Sequence, residues 1–168
     1  MRRNNGGFTL IELIVVIVIL GILAVTAAPK FIDLQSDARL ATLNGMKAAI
    51  NSAVSLTYGK SLVKGVEKDP SNKKVWINGK EVDVCYGYPC AEAAKIQKVL
   101  DIGVFSKCDA SSTHAGDWCY GEQTDTKKII NIYIANGYST SSKCYVTYEQ
   151  PTGVDVAPKV ALPSDVSC

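Results

Sequence analysis

The sequence is poor in the residues that build catalytic and metal sites. It contains a single histidine, His114, in a loop rich in Ser, Thr and Gly, and its cysteines form no Cys-x-x-Cys pair. A zinc site and a hydrolase triad around His114 are therefore disfavoured. The chain also lacks a phosphate-binding glycine loop, a paired-carboxylate arrangement and a clustered calcium loop. We predict a protein that is not an enzyme and that uses no metal or cofactor.

The chain also has little net charge. Its 18 Lys and Arg against 16 Asp and Glu give a formal charge of +2. From Gly59 onward, 13 lysines face 13 acidic residues, so that part of the chain balances to zero. No basic stripe marks a phosphate backbone as a partner, and we expect no nucleic-acid partner.

Charge is missing from one long apolar segment near the N-terminus. No charged residue lies between Leu13 and Ala28. The run from Phe8 to Ala28, at about 1.5 Å per residue in a helix, matches the roughly 30 Å hydrocarbon core of a bilayer. Arg2 and Arg3 precede the run, and the positive-inside rule keeps that end in the cytoplasm. Everything after Ala28 is predicted to face outward.

Glu12 is the one carboxylate inside this apolar run. A secretory signal peptide and a plain single-span anchor are the ordinary explanations of such a segment. The run exceeds the apolar region of a signal peptide, about 7–15 residues, and an acid weakens insertion. A plain anchor leaves Glu12 unexplained. An acid within a membrane span predicts a functional role with a specific partner.

The string GFTLIE at residues 7–12, between a basic leader and a hydrophobic helix, resembles type IV prepilins and the related pseudopilins of type II secretion. The resemblance implies that a prepilin peptidase cuts between Gly7 and Phe8, removing the leader, residues 1–7. It also implies N-methylation of Phe8 and contact of Glu12 with the amino group of Phe8 in a neighbouring subunit. The apolar anchor then stays in the mature protein, which sits in the inner membrane before assembly.

The stretch GILAVTAAPKFIDLQSDAR, residues 21–39, is similar to the pilins of mannose-sensitive haemagglutinin (MSHA) pili. That resemblance implies a subunit that polymerises with copies of itself, through an inner-membrane assembly platform, into an extracellular pilus of a Gram-negative bacterium. It implies attachment and haemagglutination as functions, with a surface carbohydrate as receptor. Pro29 falls where type IV pilins carry a proline that bends the helix.

Helical periodicity resumes after Pro29. The spacing predicts one long helix over residues 8–58, kinked at Pro29, with residues 8–28 as membrane or filament core. Its second half is amphipathic, with apolar residues recurring every three or four positions. These are Leu40, Leu43, Met46, Ile50 and Val54.

The composition changes after Gly59, which predicts a globular head over residues 59–168. Residues 60–74 are polar and indicate a surface loop. Asn78-Gly79 between two apolar runs predicts a β-hairpin over residues 75–82 with a type I′ turn. A short helix over residues 91–100 and strands over residues 130–134 and 143–148 complete the pattern. We predict an α+β roll, an antiparallel sheet laid against the second half of the long helix.

Six cysteines in the second half of the chain indicate disulfides formed in an oxidising compartment. Short-range pairing gives Cys85–Cys90, Cys108–Cys119 and Cys144–Cys168, although the sequence allows other connectivities. In the resembled family a C-terminal disulfide pins a variable loop to the sheet, and Cys144–Cys168 is similar to it.

The function predicted is that of a structural subunit of a type IV pilus. Within the family, the alternatives are a minor pilin and a pseudopilin of type II secretion. An alternative of another class is a secreted carbohydrate-binding module with an ordinary signal peptide. In that case Trp76, Trp118 and Tyr120 would stack on sugars, whereas in the pilin they serve equally well as core or disulfide packing.

Overall fold

The structure is a computed structural model and describes residues 8–71, 73–109, 116–121, 128–136, 138–139 and 141–168. The described residues form two compact units, which divide between Ala38 and Arg39. The first unit contains the apolar part of the long helix and the more polar stretch that follows it as far as Ala38. The second contains the amphipathic part of that helix together with all the described strands.

Helix α1 spans Leu10–Lys64 and continues through Pro29. It ends six residues later than the predicted end at Tyr58. The stop signal is Gly65, whose φ of +67° suits glycine, and not Gly59, where a side chain would meet open space. The N–H of Gly65 donates to the carbonyl of Leu62 (3.1 Å) and the next N–H, of Val66, to that of Ser61 (3.0 Å). This is a Schellman motif, which satisfies carbonyls at the helix end.

The described strands form two sheets. The three-stranded sheet is antiparallel and contains β1 (Lys73–Ile77), β2 (Lys80–Cys85) and β3 (Tyr88–Pro89). The five-stranded sheet has the order β4 (Phe105–Lys107), β5 (Trp118–Tyr120), β6 (Ile129–Ile134), β7 (Tyr145–Glu149) and β8 (Lys159–Ala161). Only β4 and β5 pair in parallel; the other pairs in this sheet are antiparallel. A short helix, α2, spans Ala93–Leu100.

The predicted hairpin is confirmed. Val75 pairs with Val82, and the turn residues Asn78 and Gly79 both have positive φ, 50° and 72°, as a type I′ turn requires. The predicted loop over residues 60–74 was wrong at both ends, because α1 extends to Lys64 and β1 begins at Lys73. The short helix begins at Ala93, two residues later than predicted.

The main core lies between the second half of α1, helix α2 and the five-stranded sheet. On α1, Leu43, Met46, Ile50 and Val54 are buried, as the three- and four-residue spacing predicted, whereas Leu40 is exposed. They belong to one cluster with buried side chains of β6 and β7, namely Ile130, Ile132, Val146 and Tyr148. The predicted α+β fold, a long helix packed on a small and mainly antiparallel sheet, is confirmed.

Candidate assembly and processing site

The first unit exposes apolar side chains on every side of its helix. Every large apolar side chain from Phe8 to Val25 is exposed, and none of the segment Leu10–Ala27 is buried within the described structure. This segment of 18 residues has a mean hydropathy of 3.0 and is long and apolar enough to cross a membrane. A helix that is apolar all round is stable in lipid or when packed against other helices.

A capping box begins this helix. Thr9 is the last residue before α1, and its hydroxyl accepts a hydrogen bond from the backbone N–H of Glu12 (3.4 Å). In return, Oε2 of Glu12 accepts hydrogen bonds from the backbone N–H of Thr9 (2.8 Å) and from its hydroxyl (2.7 Å). The pattern Thr-x-x-Glu thus satisfies two backbone N–H groups that the helix itself leaves without partners.

The capping box gives Glu12 a local role that the sequence analysis missed. The signal was present in the sequence, because Thr9 and Glu12 have the spacing of a capping box directly before an apolar run. A carboxylate accepts several hydrogen bonds, and both contacts from Thr9 use Oε2. Glu12 is exposed, and neither contact from Thr9 uses its other oxygen, Oε1.

The other predicted processing and assembly residues lie at or near this helix start. Phe8 precedes the capping box and is 90% exposed, whereas Gly7 and the rest of the predicted leader fall outside the described residues. Pro29 lies within α1, and the predicted kink there stays a prediction.

His114 also falls outside the described residues. Among those that are described, no group of three or more His, Cys, Asp or Glu is placed to hold a metal ion.

The head contains three disulfide bonds, Cys85–Cys90, Cys108–Cys119 and Cys144–Cys168. The third joins the residue before β7 to the C-terminus. Next to it, the ammonium group of Lys143 donates a hydrogen bond to the carboxylate of Asp165. This exposed ion pair lowers the pKa of Asp165 and raises that of Lys143, in both cases chiefly through the hydrogen bond. The C-terminal segment is therefore attached to the sheet by a covalent bond and by an ion pair.

The three aromatic residues singled out in the sequence have different environments. Trp76 is 61% exposed on β1. Trp118 and Tyr120 are partly buried and pack against the main core, and the ring of Tyr120 lies 5.2 Å from that of Phe105, centroid to centroid. The three side chains therefore do not share one environment.

An apolar helix with a capped acid at its start, followed by a disulfide-bonded α+β head, is the architecture of the pilin class. Comparison with known proteins agrees. Residues 2–28 match the family model described as the prokaryotic N-terminal methylation motif. The chain is 32% identical to the type IV major fimbrial protein FimA of Dichelobacter nodosus over 170 aligned residues, which cover 95% of this chain and 93% of that protein.

Two other relatives match this chain over shorter stretches. The type IV narrow pilus major component PilA5 of Thermus thermophilus is 50% identical over 50 residues, 30% of this chain and 43% of that protein. The type II secretion system core protein G of Pseudomonas aeruginosa is 42% identical over 55 residues, 33% and 39% of the two chains. No solved structure matches.

The chain belongs to the type IV pilin family, and it is a structural subunit with the N-terminal methylation motif of that family. Type IV pilin precursors sit in the membrane and are then assembled into extracellular fimbriae. The relatives are structural proteins and not enzymes. The secreted carbohydrate-binding module with an ordinary signal peptide, the alternative of another class, is therefore not supported.

Proposed function

We propose that the chain is the subunit of a pilus of the MSHA type on a Gram-negative bacterium. A prepilin peptidase cuts between Gly7 and Phe8 and methylates Phe8, and an inner-membrane assembly platform adds the subunit to a homopolymer. The fibre serves attachment and haemagglutination through a surface carbohydrate, and nucleic acid is not a partner. The methylation motif over residues 2–28 and the likeness to a fimbrial protein along almost the whole chain support this proposal.

The observation that carries the proposal is the capping box at the start of an apolar helix. A cut between Gly7 and Phe8 would leave the backbone N–H and hydroxyl of Thr9, and so the cap of Glu12, in place. A signal-peptidase cut after Ala28 would discard both residues together with the exposed apolar surface. Processing before Phe8, unlike removal after Ala28, keeps these features in the mature protein.

The charge of Glu12 would select the docking position between subunits. The cut creates an amino group on Phe8, a cation at the start of the same kind of helix. An ion pair outside water adds little stability, but a subunit docked one step wrongly leaves a charge unpaired in an apolar environment, which is costly. The carboxylate of Glu12 is exposed and its Oε1 takes no part in the contacts from Thr9, so it is suited to accept a hydrogen bond from the amino group of a neighbouring copy.

Three substitutions separate the charge of Glu12 from its role as a cap. Glu12→Gln keeps the capping hydrogen bonds, because glutamine also closes a capping box, but removes the charge. Glu12→Ala removes both, and Thr9→Ala weakens the cap while keeping the charge. We expect all three to be inserted and cleaved. Fibre yield, measured in sheared surface fractions and by electron microscopy, should be lost in both Glu12 variants and largely kept in Thr9→Ala.

Thr26→Ala is the matched control, because the hydroxyl of Thr26 donates within the same apolar helix, to the carbonyls of Leu23 (3.0 Å) and Ile22 (3.4 Å). Normal fibres from Glu12→Gln would show that a capped helix suffices and would overturn the proposed charge pairing. Fibre loss in Thr9→Ala equal to that in Glu12→Gln would assign the effect to the cap instead.

A pseudopilin of type II secretion is the second candidate, favoured by the match to core protein G. A minor pilin is the related alternative. Deletion of the gene separates the three. We expect loss of surface fibres with normal protein secretion; loss of secretion would favour the pseudopilin, and shortened or sparse fibres would favour a minor pilin.

A further inference from the structure

The second unit contains an open pocket of about 1000 Å³ that none of the roles above uses. Its walls come from four parts of the second unit: Thr42 on α1, the segment 102–104 before β4, the segment 116–118 at the start of β5, and the segment 134–136 at the end of β6. A volume of this size is typical of small-molecule sites.

Backbone contacts hold the walls of the pocket in place. Trp118 is in register with Ile134 on β6 and with Phe105 on β4. The backbone N–H of Ala135 donates to the carbonyl of Asp117 (2.9 Å), which ties the two walls together. A Cβ on Gly116 would lie 2.1 Å from the carbonyl oxygen of Val104, so this close approach requires glycine. Two of the lining residues, Trp118 and Ile134, thus lie on paired strands, and the segments next to them complete the walls.

The described lining combines one aromatic side chain with hydrogen-bonding side chains and with apolar residues of the segments 102–104 and 134–136. Trp118 is partly buried against the main core and also lines the pocket. Around it lie the exposed carboxylate of Asp117, the exposed amide of Asn136 and Thr42. Asp117 is the one ionisable group among the described lining residues, and no Lys or Arg is present among them to hold a phosphate or carboxylate.

We propose that this pocket binds a neutral sugar residue. A pyranose ring has an apolar C–H face, which packs on an indole, and hydroxyl groups at its edge, which need acceptors and donors. An ionised carboxylate accepts from two neighbouring hydroxyls, and an amide both donates and accepts. The pocket is thereby a candidate site for the carbohydrate partner named in the proposed function, and this inference rests on that function. Sugar binding in the pocket does not require fibre assembly.

Sugar binding is measured on the full-length, unassembled protein in detergent micelles. The chain has two tryptophans, and Trp76→Phe leaves Trp118 as the sole indole reporter. In this background we expect methyl glycosides of glucose, galactose and mannose, titrated to millimolar concentrations, to change the emission of Trp118 saturably for at least one sugar. Asp117→Asn should weaken that binding by about tenfold or more, since hydrogen bonds to a charged acceptor are lost.

Asp155→Asn is the matched control, because Asp155 is an exposed acid that does not line the pocket. Its affinity for the sugar should equal that of the parent, and the melting temperature of Asp117→Asn should be unchanged. The inference is overturned if no glycoside changes the emission of Trp118 or if Asp117→Asn binds the sugar normally. It is also overturned if adenosine, whose planar base can stack on an indole, binds while the glycosides do not. Each of these outcomes leaves the Glu12 experiment on fibre assembly unaffected.

Discussion

Tyr148 shows how much a single hydroxyl group contributes to the head. Its side chain has no exposed surface, and its hydroxyl donates to the carbonyl of Pro89 at 2.6 Å. That bond joins β7 of the five-stranded sheet to β3 of the three-stranded sheet. Burial raises the pKa of Tyr148 far above its ordinary value, and the neighbouring Tyr88 adds to the shift.

We expect Tyr148→Phe to lower the free energy of unfolding by about 1–3 kcal/mol, because the carbonyl of Pro89 is left buried without its donor. Denaturant unfolding of the full-length protein in detergent measures the change. Tyr145→Phe, on the same strand but half-buried, is the control and should change stability less. An equal effect in both variants would contradict the special role of the Tyr148 hydroxyl.

The raised pKa of Tyr148 predicts that the free energy of unfolding depends on pH. Below pH about 10 the Tyr148 hydroxyl is protonated in both the folded and the unfolded protein. Above that pH the unfolded chain loses this proton while the folded protein keeps it, so the unfolded state is favoured. Relative to Tyr148→Phe, the wild type should lose up to about 1.4 kcal/mol of stability per pH unit above pH 10. Parallel stability curves for the two proteins would contradict the raised pKa.

Among the elements, those defined by local patterns were predictable from the sequence. The spacing from Leu43 to Val54 identified the buried face of α1, and Asn78-Gly79 identified the hairpin turn. The end of α1 was missed because Gly59 and Gly65 look alike in sequence, and only the positive φ at Gly65 distinguishes them. The parallel pairing of β4 with β5 was missed because each strand has three residues, too few to show the alternation that identifies a strand in sequence.

The three disulfide bonds close loops of different length, which predicts different contributions to stability. Cys144–Cys168 joins residues 24 apart and Cys85–Cys90 residues 5 apart. Loop-closure entropy gives about 3.5 kcal/mol for the first and about 2 kcal/mol for the second. Cys85, Cys90 and Cys144 are buried and Cys168 is partly buried, so the cavity left by alanine at the longer loop is no larger than at the shorter one and does not favour the predicted order. Replacing Cys144 and Cys168 by alanine should lower the free energy of unfolding more than replacing Cys85 and Cys90. The reverse order would contradict the entropic account.

For the whole molecule, the sequence predicted the role of the chain better than the details of its site. The apolar run and the GFTLIE string sufficed to predict a subunit of the pilin family, whereas retention of the anchor stays a prediction. The capping box of Thr9 and Glu12 was overlooked because Glu12 was interpreted only through its partner in another subunit. The pocket beside Trp118 was not predictable, since α1, β4, β5 and β6 approach one another there only in the folded head.

The N-terminal residue of the mature protein is the most direct test of the central claim that the apolar helix is retained in a processed pilin. Mass spectrometry of the protein purified from cells measures it. The account predicts a chain that begins at N-methylated Phe8. A mature chain beginning at Ala28 or Pro29 would contradict it, because the anchor, the capping box and Glu12 would all have been removed.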